Sequence, residues 1–409
     1  MEPWVMFGAG VLVALMVILV VGGVAALVRH YSFDFNSMHN HRMLSRPGSH
    51  RLTLPPASLK LTWQGCGGGT MTAEYVPATT SNTDTSFAMP NVLVALPVRA
   101  ETLAYSFDAS YTNNNTGQVE TRTGCYVTVP AGFTTQVAGS YPVYFFFHGT
   151  SPTSVQPAQT SCQQLVGSGA VCICLLGSEL VSDTGTVYSW DVKNSTGTYT
   201  TGADDLSLVK TVWNAIKEDA RLDTARVYAC GHSVGSLFIS NELAPLTDFF
   251  AGHLCLSSQL LTTTDVSTAQ SPINVVTIHG KGDKLIPYLG GLASFDENIN
   301  FMSEVDTLIT WSEHNGCNPS LGLSTSTGTF DYTFAATGTT TQQTVVANWT
   351  KYESSCTSGR VCGYILSSPD ASNSLVDNIQ HNTIDPAMQL FGVSNTAALV
   401  LAVFEGELV

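Results

Sequence analysis

The feature that most constrains this chain is a pentapeptide, Gly231-His232-Ser233-Val234-Gly235. Arg226-Val227-Tyr228-Ala229-Cys230 precedes it and reads as a strand. The apolar run from Leu237 to Ala244 comes after it and reads as a helix. Strand, Gly-x-Ser-x-Gly, helix is the setting of a nucleophile elbow. A serine on so sharp a turn needs neighbours without Cβ atoms, so that strand and helix can approach closely. The helix N-terminus then offers free N–H groups and partial positive charge to an oxyanion.

Such a serine needs a base, an acid to orient the base, and N–H donors. The order on the α/β-hydrolase fold is Ser, then Asp or Glu, then His. After a strand expected at Ile273 to His279 comes Gly280-Lys281-Gly282-Asp283, so Asp283 is placed on the same sheet edge as the elbow. Asp265 competes, in a Thr-rich setting without an obvious strand end. For the base, His381 comes after the last expected strand. His314 lies too early, His232 sits inside the elbow, and His253 and His279 fall on strands, where packing is the simpler role. The oxyanion donors would be the N–H of Val234 and one from the turn Gly149-Thr150, just past the run Val143 to Phe147.

The rest of the chain alternates strands and helices, an α/β pattern with a mostly parallel sheet. Val143 to Phe147 and Ala170 to Leu176 are apolar on both faces, as strands covered by helices on both sides are. Leu206, Val209, Val212, Trp213 and Ile216 recur at helical steps between Asp204 and Asp219. Further strands are expected near His253 to Leu256 and Val361 to Leu366, and helices at Asn298 to Trp311 and Ala397 to Phe404. The Thr-rich Ser324 to Thr344 reads as an excursion. Upstream, Leu59 to Trp63, Val92 to Leu96, Leu103 to Phe107 and Gly124 to Val129 read as strands. They form either a small β domain or the leading antiparallel strands of the main sheet. The expected division is a membrane helix (1–30), a juxtamembrane linker (31–56), a β-rich extension (57–138) and an α/β domain (139–409).

The membrane reading rests on Trp4 to Val28, an uncharged apolar stretch of about 25 residues, enough to span a bilayer. Cleavage near Val24-Ala25-Ala26 is the alternative, and a buried core helix the third. Flanking arginines alone would put the large domain in the cytosol. The 10 cysteines and the acceptor triplets at Asn114, Asn194 and Asn348 favour an oxidising lumen or exterior, anchored or secreted. Cys66 and Cys125 are candidates to pair. His30, His39, His41 and His50 cluster without a Cys or carboxylate pattern that would complete a metal site, so no metal is expected. The 16 Lys and Arg are scattered and the formal charge is −15, which argues against nucleic acid as a partner.

From about Gly124 onward the chain resembles the secreted esterase group that contains polyhydroxybutyrate depolymerases and feruloyl or acetylxylan esterases. The segments that resemble it are Tyr141 through Gly149, Asp204-Asp205-Leu206, Asp223-Thr224-Ala225-Arg226-Val227-Tyr228, His279-Gly280 through Pro287-Tyr288, and Trp311-Ser312-Glu313-His314-Asn315-Gly316-Cys317. The resemblance implies an α/β-hydrolase fold and a disulfide from Cys317 to Cys356. It also places Trp190, in Tyr188-Ser189-Trp190-Asp191, near the acyl site; core packing is its other reading. His232 is carried with Trp190 as a candidate lining residue. The chain departs from the pattern at Gln380-His381-Asn382-Thr383, where the family has His-x-Trp-Pro, and at Ser236, where it often has glycine.

The expectation is therefore a serine esterase that needs no cofactor and acts on a carbohydrate ester or a hydroxyacyl ester or polyester. A hydrolase fold without activity, serving as a surface glycoprotein, and a peptidase on the same fold are the rivals.

Overall fold

The computed structural model describes residues 59–64, 70–75 and most of 103–404. Within that last span, 131–132, 134–137, 153–156, 159–168, 183–184, 195, 197–199, 270–271, 318–322, 336–341, 355, 357–358, 368–380, 382 and 395 are left out. The expected membrane segment, the linker, the strand at Val92 to Leu96 and Cys66 all lie outside the described residues. Among those described, no helix is long and apolar enough to cross a membrane. Contacts divide the chain into two units, residues 57–332 with 346–409 and residues 1–56 with 333–345. The first unit carries all the described helices and nearly all of the strands.

In chain order the strands begin with β1 (Leu59–Gln64), β2 (Thr70–Tyr75), β3 (Leu103–Thr112), β4 (Val119–Val129), β5 (Tyr141–Phe147), β6 (Ser151–Pro152), β7 (Val171–Cys174), β8 (Ser178–Ser182) and β9 (Gly185–Ser189). They continue with β10 (Leu222–His232), β11 (Gly252–Leu256), β12 (Asn274–Gly280), β13 (Gly291–Leu292), β14 (Asn300–Phe301), β15 (Ser324–Ala335), β16 (Gln342–Glu353) and β17 (Val361–Ser367). The helices are α1 (Asp205–Ile216), α2 (Val234–Phe238), α3 (Ala244–Leu246), α4 (Glu304–His314), α5 (Ile384–Leu390) and α6 (Thr396–Phe404). A π-helical turn, Ile239–Leu243, joins α2 to α3.

A ten-stranded sheet organises the fold, in the order β15-β16-β17-β12-β11-β10-β5-β7-β4-β3. The run from β17 to β7 is parallel throughout. β16 on one side and β4 and β3 on the other pair antiparallel. The mostly parallel sheet fits an α/β-hydrolase fold. The apolar runs explain its centre: all seven residues of β5 and all four of β7 are buried, as strands covered on both faces must be. Of the two readings left open for the upstream strands, β3 and β4 take the second, as leading strands of the main sheet. The helical period of α1 is equally direct. Val209, Val212, Trp213 and Ile216 are buried as expected, Leu208 is buried with them and Leu206 only partly, and the Asp204 side chain caps the helix by accepting from the Ser207 N–H at 3.0 Å.

One local expectation is corrected. The helix read from Asn298 starts at Glu304, because Ser303 caps it and accepts from the Asp306 N–H at 3.1 Å. Asn300–Phe301 instead pairs with Gly291–Leu292. Within the Thr-rich segment, Ser324–Ala335 is an edge strand of the main sheet with its first threonines exposed. Threonine is β-branched and suits a strand. A second correction concerns cysteine pairing. Cys125 is a free, buried thiol, so it does not pair with Cys66. Cys317 and Cys356 are disulfide-bonded.

Because β5, β10, β11, β12 and β17 all run the same way, the loops that leave their C-terminal ends open on one edge of the sheet. That edge receives Gly149 after β5, Ser233 after β10, Ser257 after β11, Asp283 after β12 and His381 beyond β17. Crevices for ligands in open α/β sheets form at such an edge.

Candidate active site

Ser233 stands between the end of β10 and the start of α2 with φ 56° and ψ −124°. A non-glycine residue there is strained, and the surroundings must hold it. Its N–H donates to the Leu256 carbonyl at 2.9 Å and its carbonyl accepts from the Leu237 N–H at 2.9 Å. The flanking glycines are sterically required. A Cβ on Gly235 would sit 2.1 Å from the Phe147 carbonyl oxygen, and one on Gly231 would sit 2.7 Å from the Gly235 carbonyl carbon. Ser236, where the resemblance leads one to expect glycine, is fully buried. Its hydroxyl donates to the Leu256 carbonyl at 3.0 Å and accepts from the Leu256 N–H at 2.8 Å, tying α2 to β11.

The His381 ring lies between Ser233 and Asp283. Its Nε2 is 2.8 Å from the Ser233 Oγ and its Nδ1 is 2.7 Å from Asp283 Oδ2. Asp283 is buried, and its other oxygen accepts the N–H groups of Leu285 (2.8 Å) and Ile286 (3.0 Å). Burial alone would raise its pKa. Hydrogen bonds from His279 and His381, with the charge of His381, outweigh burial and hold the carboxyl well below the usual carboxylate range. Asp265, the competing acid, caps a turn by accepting the Ser267 N–H at 2.9 Å. His314 packs edge-on against Trp311. Neither reaches Ser233 in the structure.

The backbone of His381 is clamped. Its carbonyl accepts from His232 Nε2 at 3.0 Å and from the Ser257 hydroxyl. Ser257 has φ 55°, a second non-glycine residue in the left-handed region, and its Oγ is 2.6 Å from the Thr383 Oγ1. The His232 pKa falls to about 4, through burial first and then the neighbouring His381, so the ring is neutral. His232 therefore supports the backbone of His381. Ser257 is invisible to sequence reasoning, because nothing in the sequence marks a serine as taking a positive φ.

Val234 is the first residue of α2, so its N–H has no acceptor within the helix. Gly149 packs on the elbow: a Cβ there would lie 3.1 Å from His232 Nδ1 and 3.2 Å from Ser233 Cβ. Its turn is fixed by His148. The His148 Nδ1–H donates to the Gly149 carbonyl at 2.6 Å, and Nε2 accepts the Gly177 N–H at 2.9 Å. Burial lowers its pKa to about 4, so the ring is neutral, and the Gly149 carbonyl and Gly177 N–H select the tautomer with a bare Nε2. Thr150 comes next, exposed. Of the two readings of Trp190, the structure shows core packing. It is 0% exposed, stacks on Phe238 and meets Phe147 edge-on, and its Nε1–H donates to the His148 carbonyl at 2.8 Å. An indole that fills the core and satisfies its one donor there has no face left for a ligand.

Among the described residues, no group of His, Cys, Asp and Glu is arranged to hold a metal ion. Of the glycosylation candidates, Asn114 is exposed, and its amide donates to the Ser207 hydroxyl at 2.6 Å. Asn194 accepts from the Thr196 N–H at 3.0 Å, and Asn348 lies on β16.

Arranged in this way, the edge can hold a hydroxyl against an imidazole base, with a buried carboxylate behind the base and backbone N–H groups beside the hydroxyl. No protein-family model matches the chain. It is similar to a bifunctional acetylxylan esterase/xylanase of Neocallimastix patriciarum, at 24% identity over 136 residues, which is 32% of this chain and 19% of that protein. It is also similar to feruloyl esterase B of Piromyces equi, at 24% identity over 199 residues, which is 47% of this chain and 35% of that protein. The matched region thus spans about a fifth and about a third of those relatives. Among solved structures, the acetyl xylan esterase from Aspergillus awamori matches with TM-score 0.36 and 15% identity, covering 64% of this chain and 92% of that one. A thermostable esterase matches with TM-score 0.33 and 12% identity, covering 69% and 67%. These two relatives and two solved structures are named as esterases.

Proposed function

We propose that the protein is a serine esterase with Ser233 as nucleophile, His381 as general base and then acid, and Asp283 as the carboxylate that orients the imidazole. The observation that carries this reading is the single ring of His381, within hydrogen-bond reach of Ser233 on one side and Asp283 on the other. In the first half-reaction, Oγ attacks the ester carbonyl as its proton passes to His381 Nε2. The imidazolium is stabilised by Asp283 and returns the proton to the leaving alcohol. Water then repeats the sequence on the acyl-enzyme. The N–H of Val234 and one from the Gly149-Thr150 turn stabilise the oxyanion, a contribution of about 3–4 kcal/mol per donor in comparable sites.

The substrate class is a carbohydrate ester, acetyl or feruloyl, with a hydroxyalkanoate ester or polyester as the alternative. The relatives' names favour the first. The Cys317–Cys356 disulfide fits an oxidising compartment, with residues 4–28 as an anchor or cleaved leader. A fluorophosphonate probe tests the reading. Labelling lost in Ser233→Ala, with turnover of p-nitrophenyl acetate, supports it. Folded protein that neither labels nor turns over the ester favours the inactive surface glycoprotein, and casein turnover without ester turnover favours a peptidase. A panel of acetyl-sugar, feruloyl and hydroxybutyrate esters ranks the substrates.

A further inference from the structure

Behind Asp283 lies a second histidine. His279, near the end of β12, is 0% exposed. Its Nε2 is 3.0 Å from the Ile286 carbonyl oxygen and 3.4 Å from Asp283 Oδ2, the same oxygen that faces His381. A carbonyl only accepts, so Nε2 carries a proton. On the other side of the ring, Nδ1 is 3.3 Å from Glu304 Oε2, and Glu304 is also 0% exposed. The second Glu304 oxygen accepts from the Thr277 hydroxyl. Among the described residues, neither Nδ1 nor Oε2 has a hydrogen-bond partner, so each is the other's polar neighbour at ion-pair distance. Two bare acceptors facing each other in a dry interior would repel, so a proton lies between them. Glu304 is the first residue of α4, where the helix dipole favours the carboxylate. The proton therefore resides on the imidazole.

We propose that His279 is a positioning residue for the esterase site, an imidazolium locked between two buried carboxylates. It keeps Asp283 ionised and aimed at His381, and Glu304 keeps His279 charged. The proposal rests on the esterase reading for its consequence, though not for its geometry. Glu304, His279, Asp283 and His381 form an alternating row that ends at Ser233. Without the middle cation, two carboxylates would share one dry site and one of them would take up a proton. If that one were Asp283, it could no longer accept from His381 Nδ1, and the base would be lost. The groups facing His279 are Asp283 on its own loop, Glu304 on α4, and the Tyr288 ring with its centroid 6.3 Å away. Cys255 on β11 is also within the electrostatic reach of Glu304. The direction of the His279 pKa agrees: burial would lower it, but Asp283 and Glu304 together push it up to about 9.

Two measurements test this. In wild-type protein labelled with ¹³C at the histidine ring carbons, one signal should stay in the imidazolium form at pH 8 and titrate near pH 9. That signal should survive in His381→Ala and vanish in His279→Gln. In kinetics, His279→Gln removes the cation and leaves both carboxylates in the site, so it should move the acid limb of kcat/KM for p-nitrophenyl acetate up by at least one pH unit while KM changes less than about threefold. A purely structural loss would lower activity without moving the limb. The proposal is overturned if every histidine of the folded wild-type protein is neutral at pH 8, or if the limbs of wild type and His279→Gln coincide. Should His279→Gln not fold, the wild-type titration decides, with His381→Ala as its control. The titration needs no turnover. A protein that shows the signal but fails to label with fluorophosphonate keeps the charge row and loses the esterase reading.

Discussion

His232 Nε2 lies 3.0 Å from the backbone carbonyl oxygen of His381, so a residue of the elbow holds the backbone of the residue whose ring meets its own neighbour, Ser233. The contact has a kinetic consequence. His232→Leu removes the donor and leaves the Ser257 hydroxyl as the remaining clamp on that carbonyl. A displacement of about 1 Å in a reacting geometry costs about 10²-fold in rate. The variant is expected to lose roughly 10- to 100-fold in kcat on p-nitrophenyl acetate, with KM within about threefold. An increase in KM at constant kcat would instead make His232 a substrate contact.

Asp283→Asn tests the other end of the ring. The carboxylate accepts from His381 Nδ1 at 2.7 Å and fixes the tautomer that leaves Nε2 bare toward Ser233. An amide that presents its N–H₂ to the ring favours the opposite tautomer, and the corresponding change in other serine hydrolases costs about 10⁴-fold in kcat. A similar loss is expected here at pH 7 to 8. A loss below 10-fold would move the acid to another carboxylate.

The order of the site is legible in the sequence because its chemistry is written in local signals. Gly231 and Gly235 are glycines for a reason that a pentapeptide displays, and Asp283 comes directly after an apolar strand. His381 is placed by chain order alone, since the residues around it depart from the resemblance. The remaining residues depend on contacts that no local pattern encodes. The resemblance places Trp190 near the acyl site and leaves core packing open, and only the fold shows Phe147 and Phe238 packed on it. Glu304 looks like an ordinary acidic residue in a helix, and only the fold sets it beside His279. Ser257 gains its role from a positive φ and from a carbonyl 124 residues away in sequence. In the Thr-rich stretch, low hydrophobicity masks the β propensity.

The glycines around the elbow should separate folding from catalysis. Alanine at Gly235 would press Cβ to 2.1 Å from the Phe147 carbonyl oxygen, a backbone atom that cannot swing away. Gly235→Ala is expected to destabilise by about 3 kcal/mol or more, toward the upper end of overpacking costs, seen as a lower urea midpoint or insoluble protein. Alanine at Gly149 meets His232 Nδ1 at 3.1 Å and Ser233 Cβ at 3.2 Å. Those neighbours need to yield by only a few tenths of an ångström. Gly149→Ala should fold with an unchanged midpoint within about 1 kcal/mol and lose roughly tenfold or more in kcat. If Gly149→Ala is fully active, the Gly149-Thr150 turn does not face the oxyanion.

His253 predicts how the fold responds to acid. It is 1% exposed on β11, and neither ring nitrogen has a hydrogen-bond partner among the described residues. Burial lowers its pKa from 6.5 to about 3. Between those values the unfolded chain binds a proton that the folded one refuses. Stability therefore rises with pH across this window and falls as pH drops from about 6.5 toward 3, by up to about 1.4 kcal/mol per pH unit for this group. His148 and His232, each lowered to about 4, act in the same direction. His253→Leu removes one of the three and also two unsatisfied polar atoms, whose burial costs about 1–3 kcal/mol. The variant should be at least as stable as wild type at pH 8, and the difference in unfolding free energy between pH 8 and pH 5 should shrink by about 1–2 kcal/mol. Urea unfolding at the two pH values measures both quantities. Equal pH dependence in variant and wild type would mean that His253 is protonated or solvated in the folded protein.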